Sequence, residues 1–366
     1  MTSLRVRTAA GVAALLSLMA MAGRAERQAG ATLPSQLTDQ QFWQLVTELS
    51  EPGGYFRSDN LVSNEIGLQW VIPDLLATVT PGGVYLGVGP EQNFTYIAAL
   101  KPRMAFITNV RRGNLHTHMM YKGLFELSAD RADFISRLFT KPRPEGLSAS
   151  SSAADIMNAY WDLQTSAEPA YQANVKVLRD HLTKTRAFPL SPEDLNAIES
   201  VYHAFYWYGP SITYNSTSGG GRGFSTTYYD LMVATDGGAS PRSFLASEEN
   251  FRVLQYLHRR NLIVPVVGNF AGPKALRAVG DYVRRHGSFV MAYYLSNVEQ
   301  YLLQDGLWQR FCANAASLPL DDRSTFIRSL SGGGRGRGLV NDLGNIRAET
   351  RTCGDRRPSI DVRTRQ

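Results

Sequence analysis

Phe42, Leu45, Val46 and Leu49 in "LTDQQFWQLVTEL" repeat at the three- and four-residue spacing of one helix face. Thr38 and Gln41 stand at capping-box spacing just before it. "SEPGGYFRSDNLVSNE" then has loop chemistry, and "GLQWVIPDLL" leads on to a short apolar run, "GGVYLGV", closed by glycine. "KPRMAFITNV" is a second such run about twenty residues later. "GNLHTHMMYKGLFEL" returns to helical spacing, with Leu115, Met119 and Leu124 among its apolar positions. Further on, "NLIVPVVGNF" and "SFVMAYYLS" read as buried strands. The helix "GPKALRAVGDYVRRHG", closed by Gly287, lies between them, and "NVEQYLLQ" begins the next helix. Near-continuous apolar strands alternating with helices predict an α/β fold, its mostly parallel sheet covered by helices on both faces.

Between the two strand pairs the pattern predicts a helix-rich insert over about 140–224. "SPEDLNAIESVYHAFYW" is a helix with Ser191 as N-cap and Pro192 in its first turn. Glu193 and Asp194 suit the positive end of that helix. "GPSITYNSTSGGGRGFS" is a long loop, and the Gly/Arg-rich stretch 331–366 reads as a loosely ordered tail. Residues 30–330 then form a single domain.

Composition narrows the function classes. The 366 residues are 43% hydrophobic and 19% charged, enough for a substantial core. The net charge of +6 is not spread over the chain. Residues 1–25 carry three arginines and no acid, and residues 333–366 carry eight arginines against four acids, so the main body is close to neutral. That balance gives no basic face for nucleic acid. "MTSLRVRT" followed by "AAGVAALLSLMAMAG" and small residues has the pattern of a secretory signal over 1–25, too short for a comfortable membrane span. The expected location is therefore export, to the periplasm, with no stable membrane span in the mature form. If the segment is not a functional signal, the location is cytoplasmic. Cys312 and Cys353 are the two cysteines, either one disulfide or two separate thiols. Nothing in the sequence fixes the oligomeric state.

No G-x-S-x-G or H-E-x-x-H occurs, and the glycine stretches at 218–223 and 331–338 lack the Lys-Ser/Thr of a P-loop. His116 and His118, two apart on a helix, point to different faces and make no metal pair. "GVYLGVGPEQNF", running strand to glycine turn to helix, resembles the start of a Rossmann-type methyltransferase. Longer segments carry the resemblance to an uncharacterised bacterial family of Rossmann-fold, S-adenosylmethionine-dependent methyltransferase-like proteins. They are "FWQLVTELSEPGGYFRSDNLVSNE", "GGVYLGVGPEQNFTYIAALKPRMAFITNVRRGN", "YKGLFELSADRADFISRLF" and "NLIVPVVGNFAGPKALRAVGDYVRRHGSFVMAYYLSNVEQYL", together spanning about 42–304.

The resemblance implies an adenosyl-ligand crevice at the carboxyl edge of the sheet. Gly87 and Gly89 would let backbone approach the ligand, and Asn109, ending the second strand, would face the ribose. Asn64 and Glu65 belong to a loop near the same crevice. Arg111 is a candidate for an anionic group, and Asn269 and Phe270 end a later strand. Tyr293, Tyr294, Ser296 and Asn297 end the next strand on that edge. The chain departs from the family pattern at four places. Tyr85 replaces the acid before the turn, Glu91 replaces the third glycine, and Asn109 and Asn269 stand where Asp is usual. Glu91 could shift the acceptor role by one turn. The catalytic residue is not legible. Two functions follow as expectations: a methyltransferase using S-adenosylmethionine on a small-molecule acceptor, or an exported, non-catalytic Rossmann-fold ligand-binding protein that uses no cofactor.

Overall fold

The computed structural model describes residues 32–217, 226–331 and 339–353. The expected export segment at 1–25, the glycine stretch at 218–223, residues 332–338 of the second glycine stretch and the tail beyond 353 lie outside the described residues.

Helix α1 (Asp39–Leu49) starts at a complete capping box: Gln41 N donates to Thr38 Oγ1 at 3.1 Å, and Thr38 N donates to Gln41 Oε1 at 2.9 Å. It buries Phe42, Leu45, Val46 and Leu49, the four positions of the apolar face. A short helix α2 (Ile72–Thr78) precedes strand β1 (Val84–Val88), helix α3 (Gln92–Leu100), strand β2 (Met104–Asn109) and helix α4 (Arg112–Leu127). The insert follows with α5 (Arg131–Phe139), α6 (Ala153–Trp161), α7 (Glu168–Asp180) and α8 (Pro192–Tyr208). Then come α9 (Tyr228–Val233) and α10 (Glu248–Arg259). Strand β3 (Ile263–Val267), helix α11 (Ala275–Arg285), strand β4 (Val290–Ser296), helix α12 (Val298–Gln304) and helix α13 (Trp308–Ala316) complete the second half. Strands β5 (Thr325–Ser331) and β6 (Leu339–Asn345) and the turn of helix α14 (Ile346–Glu349) close the chain.

Among the described residues the six strands form one sheet in the order β3-β2-β1-β4-β5-β6. All neighbours are parallel except β5 and β6. Every residue of β1, β2 and β3 is buried, so helices cover both faces, as parallel strands require. Pro265 sits mid-strand in β3, and the topology shows why it is tolerated. β3 is an edge strand paired only with β2, and proline has no N–H to give a second neighbour. The fold is Rossmann-like α/β. No helix among the described residues is long and apolar enough to cross a membrane.

The insert lies within the β2–β3 crossover and is fixed to the core by a buried ion network. Lys122 of α4 donates to Glu126 Oε1 at 2.8 Å, to Asn261 Oδ1 at 2.5 Å and to the His258 carbonyl at 2.6 Å. Glu126 also receives His181 at 2.6 Å and Arg186 at 2.8 Å. A buried ammonium is tolerable only with such partners.

Of the Gly/Arg-rich stretch 331–366, the described residues 339–353 are ordered. Leu339–Asn345 pairs antiparallel along the whole of β5. Cys312 of α13 is joined to Cys353 by a disulfide, so the two thiols of the sequence are one bridge, fixing the chain just after α14.

Candidate functional site

The strand order reverses between β1 and β4, and ligand crevices of open α/β sheets form at the carboxyl ends of strands beside such a point. A solvent-open cavity of about 140 Å³ lies there. The glycine turn after β1 supplies its floor, and Asn93 on α3 fixes that turn. Its amide nitrogen is shared among the carbonyls of Val88 (2.9 Å), Gly89 (3.1 Å) and Pro90 (2.8 Å), while its oxygen accepts from the Tyr85 hydroxyl at 2.9 Å. Gly87 exists for this knot. A Cβ there would lie 1.9 Å from Asn93 Oδ1 and 2.8 Å from the Tyr85 ring. Gly87 therefore serves the interior and does not line the cavity, whereas Gly89, with φ +82°, does. The Gly89 carbonyl accepts from His118 Nε2 at 2.9 Å. Burial drives the His118 pKa down to about 4, so the ring is neutral with its proton on Nε2.

The loop before α2 forms one wall. Asn60, Ser63, Asn64 and Glu65 line the cavity. Glu65 is buried, and its carboxylate accepts from the Ser296 hydroxyl and, at 3.4 Å, from Asn341 Nδ2 of β6. Ser296 ends β4 after a register shift and has φ +53°, a backbone conformation that side chains rarely adopt. Burial pushes the Glu65 carboxyl above the usual range, against the pull of its hydrogen bonds from Ser296 and Tyr294.

Glu91, one turn on from Gly89, does not line the cavity. It lies behind the wall, fully buried. Its Oε1 accepts from Ser63 N at 2.9 Å, its Oε2 has no partner, and burial pushes its pKa up to about 7.

The opposite wall comes from the ends of β2, β3 and β4. Asn109, Val110, Phe270, Ser296 and Asn297 line it. The Asn109 side-chain oxygen accepts from Arg111 N at 2.9 Å, a local turn that occupies part of its acceptor capacity. Arg111 itself turns away from the cavity. Its guanidinium donates to the carbonyls of Ser58 and Asp59, holding the loop that carries Asn60. Asn269 is exposed and outside the cavity, with its oxygen accepting from Ala271 N at 2.9 Å. Its backbone N–H, with those of Lys274 and Ala275, donates to Glu51, which so caps the start of α11. Of the candidates named from sequence, Asn64, Glu65, Gly89, Asn109, Phe270, Ser296 and Asn297 meet in one cavity. Gly87, Glu91, Arg111 and Asn269 hold its frame.

Sequence reasoning missed Asn93, Gln92 and Tyr214. Asn93 had one usable signal, an amide one helical turn past a glycine turn. Tyr214 comes from the insert, and no local pattern places it against the cavity.

A second polar cluster lies apart from the cavity. Asp194, in the first turn of α8, accepts from Arg112 Nε at 2.8 Å and Nη2 at 2.9 Å, and meets His116 Nε2 at 2.7 Å. Burial opposes its ionisation, yet Arg112 and His116 hold the carboxyl below the usual range. His116 and His118 thus face different partners, as their spacing requires.

A Rossmann-like sheet with a polar cavity at its switch point defines the chain as an α/β protein with a candidate small-ligand site. Residues 60–340 match the family described as a domain of unknown function, DUF7790, and the chain belongs to that family. No curated protein matches the chain.

Proposed function

We propose that the cavity binds S-adenosylmethionine or its demethylated product, and that the protein is methyltransferase-like, acting on a small-molecule acceptor. One observation carries this: the Gly89 turn, Asn109 at the end of β2, Phe270 after β3 and the Asn64–Glu65 loop converge on a single cavity at the switch point. Gly89 leaves backbone uncovered at the floor, Asn109 would hold the ribose, and Phe270 gives an apolar wall for the base. S-adenosylmethionine would supply an electrophilic methyl group there. The chain's own contribution would be to position the acceptor and exclude water.

Calorimetry on the full chain tests the proposal. Micromolar binding of S-adenosylmethionine or S-adenosylhomocysteine is expected, weakened at least tenfold by Asn109→Ala. No heat at millimolar ligand overturns it.

Two observations favour a second reading, an exported binding protein without chemistry. The acceptor oxygen of Asn109 is partly engaged by Arg111 N–H, and the Cys312–Cys353 disulfide is a bond type of oxidising compartments. A reporter fused after residue 30 that is recovered outside the cytoplasm, together with ligand binding but no methyl transfer, would select this reading.

A further inference from the structure

We infer that the ligand of this cavity carries a protonated amino group that docks on Glu65, and that phosphorylated ligands are excluded. The inference rests on the proposal that the cavity is the ligand site, but not on the ligand being adenosyl.

The first observation is one of charge. Three other buried carboxylates have a cation, whereas Glu91, behind the cavity wall, has none. Glu126 has Lys122 and Arg186, Asp194 has Arg112, and Glu299 has Arg328. Glu65 has none. The ionisable groups around it are the hydroxyls of Tyr85, Tyr96, Tyr294 and Tyr214 and the carboxyl of Glu91, all neutral or acidic. No Lys, Arg or His is among the described residues lining the cavity, and the nearby Arg111 guanidinium donates to loop carbonyls.

The second observation concerns hydrogen bonds. A carboxylate offers about four acceptor sites. Glu65 Oε1 takes the Ser296 hydroxyl, Oε2 takes a long 3.4 Å contact from Asn341, and the hydroxyls of Tyr294 and Ser329 also lie against the carboxyl. Gln92, also lining the cavity, turns its amide nitrogen to the Tyr294 hydroxyl at 3.3 Å and leaves Oε1 buried with no partner. Glu65 and Gln92 therefore leave acceptor capacity open at the cavity. An ammonium group, with three donors and a positive charge, fills that capacity and supplies the missing cation. A phosphate adds acceptors and negative charge beside a carboxylate that has no cation, so it is rejected.

The test compares decarboxylated S-adenosylhomocysteine, which has the amino group and no carboxylate, with 5′-methylthioadenosine, which keeps the nucleoside and lacks the amino group, by calorimetry on the full chain. Wild type should bind the decarboxylated compound at least tenfold more tightly than methylthioadenosine. Glu65→Gln should erase that difference and leave methylthioadenosine affinity unchanged, and adenosine monophosphate should bind neither form.

Wild type alone gives a further readout, independent of whether the variant folds. Ammonium docking favours ionised Glu65, whose carboxyl is raised above the usual range, so the preference for the amino compound should weaken as the solution is made acid. Equal affinity for the two nucleosides at neutral pH, or a preference that does not weaken in acid, overturns the inference. If no adenosyl compound binds, the adenosyl proposal fails alone. Putrescine against succinate in thermal melts then decides the inference. A melting-point rise with the diamine only, lost in Glu65→Gln, supports it, and no difference between the two compounds overturns it.

Discussion

Gly87→Ala should damage the fold rather than the ligand site. The added methyl would lie 1.9 Å from Asn93 Oδ1 and 2.8 Å from Tyr85 Cε1, both within a fully buried knot. Overpacking of this kind costs about 1–3 kcal/mol. Displacing Asn93 also strips the Tyr85 hydroxyl of its partner, and a buried unsatisfied polar group costs about 1–3 kcal/mol more. The expected loss is thus about 2–6 kcal/mol, a large part of a typical domain's stability. Urea unfolding of Gly87→Ala, Asn93→Ala and the double variant forms a cycle. Removing Asn93 takes away the nearer obstruction, so the two losses should fall short of additivity by about 1 kcal/mol or more. An unfolding midpoint for Gly87→Ala equal to wild type, or strictly additive losses, would refute the assignment of this glycine to the interior.

Four further outcomes are expected. Glu91 has its folded pKa raised to about 7 from an ordinary 4.5, so the stability it contributes is full below pH 4.5 and is lost as pH rises through 7. Chemical unfolding from pH 4.5 to 8.5 should show a loss of about 3 kcal/mol attributable to this group, which Glu91→Gln removes; equal pH slopes for the two proteins would contradict it. Reducing the Cys312–Cys353 bridge, which spans 41 residues, should lower stability by about 4 kcal/mol; a melt unchanged by reductant would show that the bridge is not holding the fold. Arg328→Met should cost about 3–5 kcal/mol in denaturant, because it leaves the buried Glu299 beside Glu349 without a cation. Asn109→Asp should tighten S-adenosylhomocysteine binding about five- to tenfold in calorimetry, since charge-assisted bonds are roughly twice as strong as neutral ones; unchanged affinity would place the ribose elsewhere.

Periodicity carried most of the fold. The apolar runs at β1, β2, β3 and β4 were legible because strands buried on both faces must be apolar throughout. Strand β6 was not, since "LVNDLGN" is short, mixed and set in a Gly/Arg-rich stretch, and only its pairing with β5 makes it a strand. The cavity was half legible for a similar reason. Positions at or just past strand ends, such as Asn109 and Phe270, follow from topology, and Asn64 and Glu65 from the loop that the resemblance places beside them. The orientation of a side chain at a turn does not follow. Gly87 and Gly89 look alike in sequence, yet one faces Asn93 and the other the cavity. Arg111 and Asn269 likewise stand at the right edge and turn to backbone groups nearby. Burial is the other gap. Neither Glu65 nor Glu91 has a neighbouring apolar pattern that marks a carboxyl enclosed by tyrosines from distant segments.

The placement of the whole insert between β2 and β3 bears on how the chain is made. Loop closure grows only with the logarithm of length, so an excursion of roughly 150 residues costs about 2 kcal/mol more than one of 20. Its effect on timing is larger. The middle strands β1 and β2 emerge first in synthesis, and their outer partners β3 and β4 follow only after the insert. At about 5–20 residues per second, that is a wait of about 8–30 s. For that interval two largely apolar strands stand with open edges, the condition in which a nascent chain most needs a chaperone to cover it.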